Sequence, residues 1–280
     1  MRKINFGYLL IGLQLAWASM PRASENDIFR LQSVINLPHS LKETSGLHCE
    51  KNSLLSVNDS GNEPVVYRIS LEGDVLFSQR LPIDNQDWEA MTADEQYWYI
   101  GDIGNNSGRR ETLSLFKVNQ GAPNDITELT LTYAGVDMSE HVYFEHDYDA
   151  EALVNVQEHL FLFSKSWSTE VGLVYKINKD DKVQSIRPLA EIQGLPGVIT
   201  GAAWDAHNEQ FLLAGYQTSF WGMMSPFIAS LSRSFEILHI QKLEGFSQVE
   251  AICIDNKQAI WLTQEGSTFK SAKLIKLVRR

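Results

Sequence analysis

Glu151-Ala152-Leu153 opens a short apolar run, a turn follows, and a second, more strongly apolar run spans His159 to Ser164. The same unit occurs five times. Its other openings are Ser45-Gly46-Leu47, Glu89-Ala90-Met91, Thr200-Gly201-Ala202 and Glu250-Ala251-Ile252. The second runs that answer them are Leu54 to Val57, Tyr97 to Gly101, Gln210 to Gly215 and Ala259 to Thr263. Leading residues lie 44, 62, 49 and 50 positions apart, about the length of a four-stranded propeller blade. A ring of such units brings the start of every inner strand to one axis. Here that start reads Ser45, Glu89, Glu151, Thr200, Glu250, and three carboxylates so placed repel one another unless a cation lies among them.

The rest of the chain reads as β. Apolar runs rich in Val, Ile, Leu, Phe, Tyr and Trp alternate with polar turns, and no helical period is sustained. Blade one takes strands near Ser45–Glu50, Leu54–Val57, Val65–Ser70 and Asp74–Arg80; blade two near Glu89–Ala93, Tyr97–Gly101, Leu113–Val118 and Leu129–Ala134. A long excursion, Gly135 to Asp149, precedes blade three, which continues through Leu160–Ser164, Gly172–Ile177 and Gln184–Ala190. Blade four uses Ala202–Asp205, Phe211–Gly215, Phe227–Leu231 and Ile237–Leu243. Blade five has Ala251–Ile254, Ala259–Thr263 and Lys273–Val278, then the sequence ends one strand short. Ile28 to Leu37 supplies that strand from the other end, and such closure removes exposed edges. The expected fold is an all-β, five-bladed β-propeller whose last blade is closed by the N-terminal strand. A sixth, degenerate blade in the 62-residue interval is the alternative.

Arg2 and Lys3 precede an apolar stretch from Ile4 to Trp17, and Ala16-Trp17-Ala18 fits a signal-peptide cleavage site. Residues 1–18 are therefore expected to be a signal peptide and 19–280 a single propeller domain, secreted or periplasmic. No other stretch approaches a membrane span, so no membrane insertion is expected after cleavage. Loss of Arg2 and Lys3 takes the formal charge from −11 to −13, which disfavours nucleic acid and anionic membrane surfaces. Cys49 and Cys253 are the two cysteines. They fall in blades that would be neighbours around the ring, and either a disulfide or two small buried side chains fits that placement.

Strands one and two of a blade are antiparallel, so each second strand ends on the rim where the first began. That rim collects Asn58-Asp59, Asp102, Asn105 and Asn106, Lys165, Tyr216 and Gln217, and Glu265, with Arg109 and Arg110 close by. A mouth of carboxylates, amides and a few cations suits a small polar ligand or substrate. Turn chemistry alone also accounts for Gly104-Asn105-Asn106-Ser107-Gly108. Asp59, Asp102 and Lys165 read as occupying one repeat position and, with Arg109, are the candidate catalytic residues. The candidate metal ligands are Ser45, Glu89, Glu151, Thr200 and Glu250. Oxygen donors without Cys or His point to calcium, and Glu43, Asp87 and Asp149, two residues before the ring positions, are outer partners or further ligands. His141, Glu145, His146 and Asp147 form a second polar cluster, read as a mobile loop.

These ring residues carry a resemblance. In the same chain order, Ser45, Glu89, Glu151, Thr200 and Glu250 are similar to the inner-strand starts of calcium-activated nucleotidases (secreted apyrases). That resemblance implies a five-bladed propeller with an axial calcium. Asp87-Trp88-Glu89 and Gly101-Asp102-Ile103-Gly104-Asn105 also resemble uncharacterised bacterial secreted propellers marked by D-W-E and G-D-I-G-x-N. Where apyrases carry D-D-R-T-G and P-R-R segments, this chain has Asn58-Asp59-Ser60-Gly61 and Ser164-Lys165-Ser166. The rim is thus poorer in positive charge than a polyphosphate site needs. Two functions follow: a calcium-binding propeller with a polar ligand mouth, or a calcium-dependent hydrolase of phosphate esters, phosphoanhydrides or other esters. In the second, Asp59 or Asp102 would orient water while Lys165 or Arg109 stabilises developing charge.

Overall fold

The structure, a computed structural model, describes residues 27–268 and 270–280. The expected signal peptide lies outside the described residues. The chain enters along β1 (Phe29–Asn36), makes a 3-10 turn at His39–Leu41, and builds blade one from β2 (Thr44–Cys49), β3 (Leu54–Asn58), β4 (Val65–Ile69) and β5 (Val75–Arg80). Blade two follows as β6 (Trp88–Ala93), β7 (Tyr97–Asp102), β8 (Leu113–Asn119) and β9 (Ile126–Tyr133). Blade three holds β10 (Ala150–Val156), β11 (His159–Ser164) and β12 (Gly172–Asn178), after which come β13 (Val183–Ile186) and β14 (Pro188–Ile192). Blade four is β15 (Val198–Asp205), β16 (Gln210–Thr218), β17 (Met224–Leu231) and β18 (Ile237–Lys242). Blade five is β19 (Val249–Ile254), β20 (Ile260–Gln264) and β21 (Lys273–Arg279).

Five sheets result, and the sheet order β1-β21-β20-β19 closes the ring. β1 runs antiparallel to β21 from Phe29↔Arg279 to Asn36↔Lys273. The 62-residue interval holds no sixth blade among the described residues. Its extra length is a connector with a 3-10 turn at Met138–Glu140.

Blade three differs from the expected single outer strand over Gln184–Ala190. β13 crosses to blade two and pairs parallel with β9, Val183↔Thr130 through Ile186↔Tyr133, while β14 completes blade three against β12. Pro188 stands at the break. It has no N–H to give and restricts Arg187 before it, so a strand can begin at Pro188 more readily than run through it.

The apolar core lies between blades. One cluster joins blades one and two through Val57, Trp88 and Ile100; another joins five and one through Leu47, Leu54 and Trp261. Three further clusters fill the remaining interfaces. Inner sheets are thereby covered on both faces. That is why β3, β6 and β20 are buried along their whole length, while outer β5 is mostly exposed. Cys49 and Cys253 form a disulfide with Cα atoms 5.5 Å apart, linking β2 to β19 across the closure.

Candidate functional site

Every inner strand carries a β-bulge at the same place. Thr44 pairs with Asn58 and Gly46 with Val57, so Ser45 is the extra residue. The register skips Glu89, Glu151, Thr200 and Glu250 in the same way. A bulge bends its strand and re-aims the unpaired side chain. Repeated five times, it turns all five lead residues toward one axial cavity of about 10 Å³, roughly a single water in size.

The five side chains have different roles there. Ser45 Oγ donates to the Trp88 carbonyl at 2.8 Å, and Thr200 Oγ1 donates to the Val249 carbonyl at 2.5 Å. In both cases the acceptor immediately precedes the next blade's lead residue, so these hydroxyls staple blade one to two and four to five. Glu89, Glu151 and Glu250 are the carboxylates left, all buried.

A cation of the chain's own enters this centre. Lys165, one residue beyond β11, is buried with its Nζ 3.0 Å from Glu151 Oε1. The Trp167 ring lies 4.9 Å from that ammonium and the Tyr216 ring 5.6 Å from it. Burial works against the charge, but Glu151 and Glu250 outweigh it and hold the lysine well above its ordinary value. Beside it, Asp149 accepts from the Asn105 backbone N–H at 2.6 Å and from Trp167 Nε1 at 2.8 Å. Glu151 is thus paired and Asp149 satisfied.

On the blade one and two side the compensation is weaker: Lys165 acts on Asp59 and Glu89, and Arg110 on Asp87, only from a distance. Asp59, Asp87 and Glu89 bring carboxylate oxygens within 4.8 Å of one another, close enough to share a metal ion. None of the three forms an ion pair with a lysine or arginine among the described residues. Burial raises all three, and mutual repulsion adds to it for Asp87 and Glu89; Asp87 is pushed up to about 6. Glu250 Oε1 is buried without a hydrogen-bond partner. Nearby Glu265 is pushed up to about 8, first by burial and then by Glu250 and Asp59.

Gly104 closes this pocket. A Cβ there would overlap Asp87 Oδ2 and lie 2.7 Å from Glu89 Oε1. The Ile103 and Gly104 N–H groups both donate to the Asp87 carbonyl at 3.1 Å, drawing that backbone onto the carboxylates. All-oxygen donors, with the Gly104 backbone packed close against the Asp87 and Glu89 carboxylates, fit a hard divalent cation.

The rim position shared by all blades is read from the backbone. Asp59, Ile103, Lys165 and Glu265 each donate an N–H to the residue two before the lead position, and Tyr216 pairs with Val198. The equivalent of Asp59 and Lys165 in blade two is therefore Ile103 rather than Asp102. Asp102 pairs across to Trp88 and is buried outside the lining of the axial cavity. It binds Arg110 at 2.7 Å and accepts from the Gln86 N–H at 3.0 Å. Arg109 is exposed, with Nε 3.4 Å from the His141 carbonyl. Asp59 and Lys165 are thus brought to the centre, and Asp102 and Arg109 are not. Glu43 is held by Asn62 at 2.8 Å and by Lys42 at 3.4 Å.

The expected mobile loop at His141–Asp147 is instead braced. His141 Nδ1 and His146 Nε2 lie 3.1 Å from the Gly108 and Asn106 carbonyls, and His146 is buried. Tyr148 N–H donates to His146 Nδ1, which leaves the proton on Nε2 for Asn106. Asp147 accepts from the Ser168 and Thr169 N–H groups. These side chains tie the connector to the 106–108 and 168–169 backbone, and no metal cluster forms from them among the described residues.

No family model matches the chain, and no curated protein matches it. Solved structures do. The crystal structure of a glucose dehydrogenase aligns over 89% of this chain and 100% of its own, with TM-score 0.53 and 7% identity. A luciferin-regenerating enzyme aligns over 88% of this chain and 95% of its own, with TM-score 0.47 and 12% identity. The Dos1 propeller structure is covered over 79% of this chain, with TM-score 0.41 and 12% identity; this chain spans 52% of that one. Likeness at these identities extends to the fold and no further.

Proposed function

We propose that this is an exported calcium-binding propeller whose mouth, above the acidic centre, takes a small polar ligand. The observation that carries this reading is the asymmetry of charge compensation. Lys165 pairs with Glu151, while Asp59, Asp87 and Glu89 share one pocket with no lysine or arginine in ion-pair contact among the described residues. Gathering three carboxylates, one buried and two half-buried, without a contact ion pair is costly, and a divalent ion offsets that cost. Asp59, Asp87 and Glu89 would hold the ion, with the buried carboxylates Glu151 and Asp149 acting on them from beside the site; bound calcium would supply a Lewis acid facing the mouth. The Cys49–Cys253 disulfide supports export, since such bonds persist in oxidising compartments. Isothermal titration of chelator-treated protein with calcium tests the reading. One saturable site that is weakened about tenfold or more in Asp87→Asn is expected, and no heat of binding would end it.

One observation favours a hydrolase of phosphate or other esters as the second reading. Lys165 is held as an ammonium in the same centre, where it could stabilise an anionic transition state. Calcium-dependent turnover of a phosphate or carboxylate ester, lost in a Lys165→Met protein that circular dichroism shows to be still folded, would establish it.

A further inference from the structure

Beyond the acidic centre, two apolar projections rise from the face that bears it. The larger is the β16–β17 hairpin. Its strands continue past the last β15 pair, Val198↔Tyr216, through Gln217↔Ser225 and Thr218↔Met224, and then turn. At about 3.3 Å per residue, the tip stands on the order of 10 Å above the rim. There Phe220 is 94% exposed, Trp221 81% and Met223 65%. The tip is ordered: Ser219 N–H donates to the Met223 carbonyl and Gly222 N–H to the Ser219 carbonyl, both at 2.8 Å, and Met223 N–H donates to Ser219 Oγ at 3.0 Å. Gly222 supplies the positive φ, +75°, that the turn requires.

The second projection is Val142-Tyr143-Phe144, on the connector that leads into β10, and it too is exposed. The Phe144 ring lies 4.0 Å from Tyr143 and 4.4 Å from Trp167. Both projections are rooted at Lys165, one through Trp167 and the other through Tyr216 at the hairpin base. They therefore flank the same mouth from adjacent blades.

Charge identifies the occupant. Residues 216–226 carry no charged side chain in a chain of formal charge −11. Ser, Thr, Gln and Tyr flank the aromatic tip, the order in which an apolar interior meets a hydrogen-bonding interface. An anionic surface would repel this chain, and the tip is convex with no pocket of its own to receive a partner's side chain, which favours a deformable lipid surface over a second folded protein. A convex, uncharged apolar hairpin tip, with a second apolar projection beside it, fits a flat neutral sheet. We infer that the hairpin Phe220-Trp221-Gly222-Met223, with Val142–Phe144 beside it, seats the mouth face on a zwitterionic lipid surface. This is peripheral docking, and no helix among the described residues is long and apolar enough to cross a membrane.

Flotation of the purified protein with phosphatidylcholine vesicles tests the inference. The protein should rise with the vesicles, and F220S/W221S/M223S should lower the apparent partition coefficient by about tenfold or more. Its melting temperature should hold, since these side chains are exposed. Leu76→Ser, which alters an exposed apolar residue on β5, should float like the parent and so excludes general stickiness. Adding phosphatidylserine should weaken flotation. Absence of flotation, equal flotation of the triple variant, or a requirement for anionic lipid would each overturn the inference. So would a concentration-dependent dimer that the triple variant abolishes, which would assign the tip to a second copy of this chain. None of these readings depends on whether calcium binds.

Discussion

Lys165 sets its ammonium 3.0 Å from Glu151 Oε1, and both side chains are buried. The ring of carboxylates therefore already contains one cation, fixed by the chain itself. Removing one partner of a buried pair strands the other. Lys165→Met should destabilise the fold by about 3–5 kcal/mol near neutral pH. The loss should shrink in acid as Glu151 takes up a proton. Urea unfolding at two pH values measures both; a loss under about 1 kcal/mol at neutral pH would mean that the pair is not a structural anchor.

Asp59→Asn and Asp87→Asn should each weaken calcium binding about tenfold or more, since each removes a charged donor from a three-carboxylate site. Glu50→Gln should leave affinity unchanged, because Glu50 binds Arg68 and Ser53 at the far end of β2. Calorimetry on the three variants decides. Equal affinity for Asp87→Asn and the parent would move the ion out of this pocket.

Gly104→Ala alters no donor yet should cut affinity to a similar degree, because its Cβ would meet Asp87 and Glu89. Retained binding in a folded Gly104→Ala protein would show that the backbone can withdraw and that the close approach serves packing alone.

The pH dependence follows from carboxyls raised above their ordinary values. Asp87, near 6, and Glu265, near 8, still hold protons that the unfolded chain has released. The folded state thus binds more protons between about pH 4 and pH 8, and without metal its stability should fall as pH rises through that window. Calcium competes with those protons, so its stabilising effect should grow over the same range. Thermal scans in chelator and in calcium, at about pH 5 and about pH 8, test the sign. A melting temperature that rises with pH in chelator would contradict it.

C49A/C253A should lose about 2–4 kcal/mol, since the disulfide closes a loop spanning 204 residues. The double variant should remain a closed ring because β1 still pairs with β21. Denaturant unfolding gives the loss, and protection of β1 amides from hydrogen exchange reports the pairing.

The blades were legible because each inner strand restarts the same pattern, and the strand deficit after Val278 pointed to Ile28–Leu37. Interior detail was less legible. Asp102 was aligned with Asp59 by counting polar residues at strand ends, yet the backbone aligns Ile103. A slip of one residue sends a strand side chain to the opposite face. The pairing of Lys165 with Glu151 crosses from one strand end to the next strand start, and spacing alone cannot distinguish it from a solvated lysine. Pro188 did carry a usable signal, since a proline within a presumed strand marks a break. The role of Gly104 was hidden in a loop whose glycines read as turn residues. Its contact with Asp87 depends on a backbone fold that no local pattern encodes.

Closure by β1 and β21 also dictates an order of assembly. Phe29 and Arg279 are neighbours in space and 250 positions apart in sequence. During synthesis the strand made first must wait, unpaired, for the strand made last. Until then β20 presents an open edge on one side of the nascent ring and β1 is an orphan on the other. Contacts of such long range make folding slow. A chain cut before Lys273 should never complete the ring, and it should expose the β20 edge to whatever strand reaches it first. Rapid aggregation of a 1–272 truncation, against a soluble full-length chain, would show that the final seven-residue strand governs whether the ring closes or the chain associates with its neighbours.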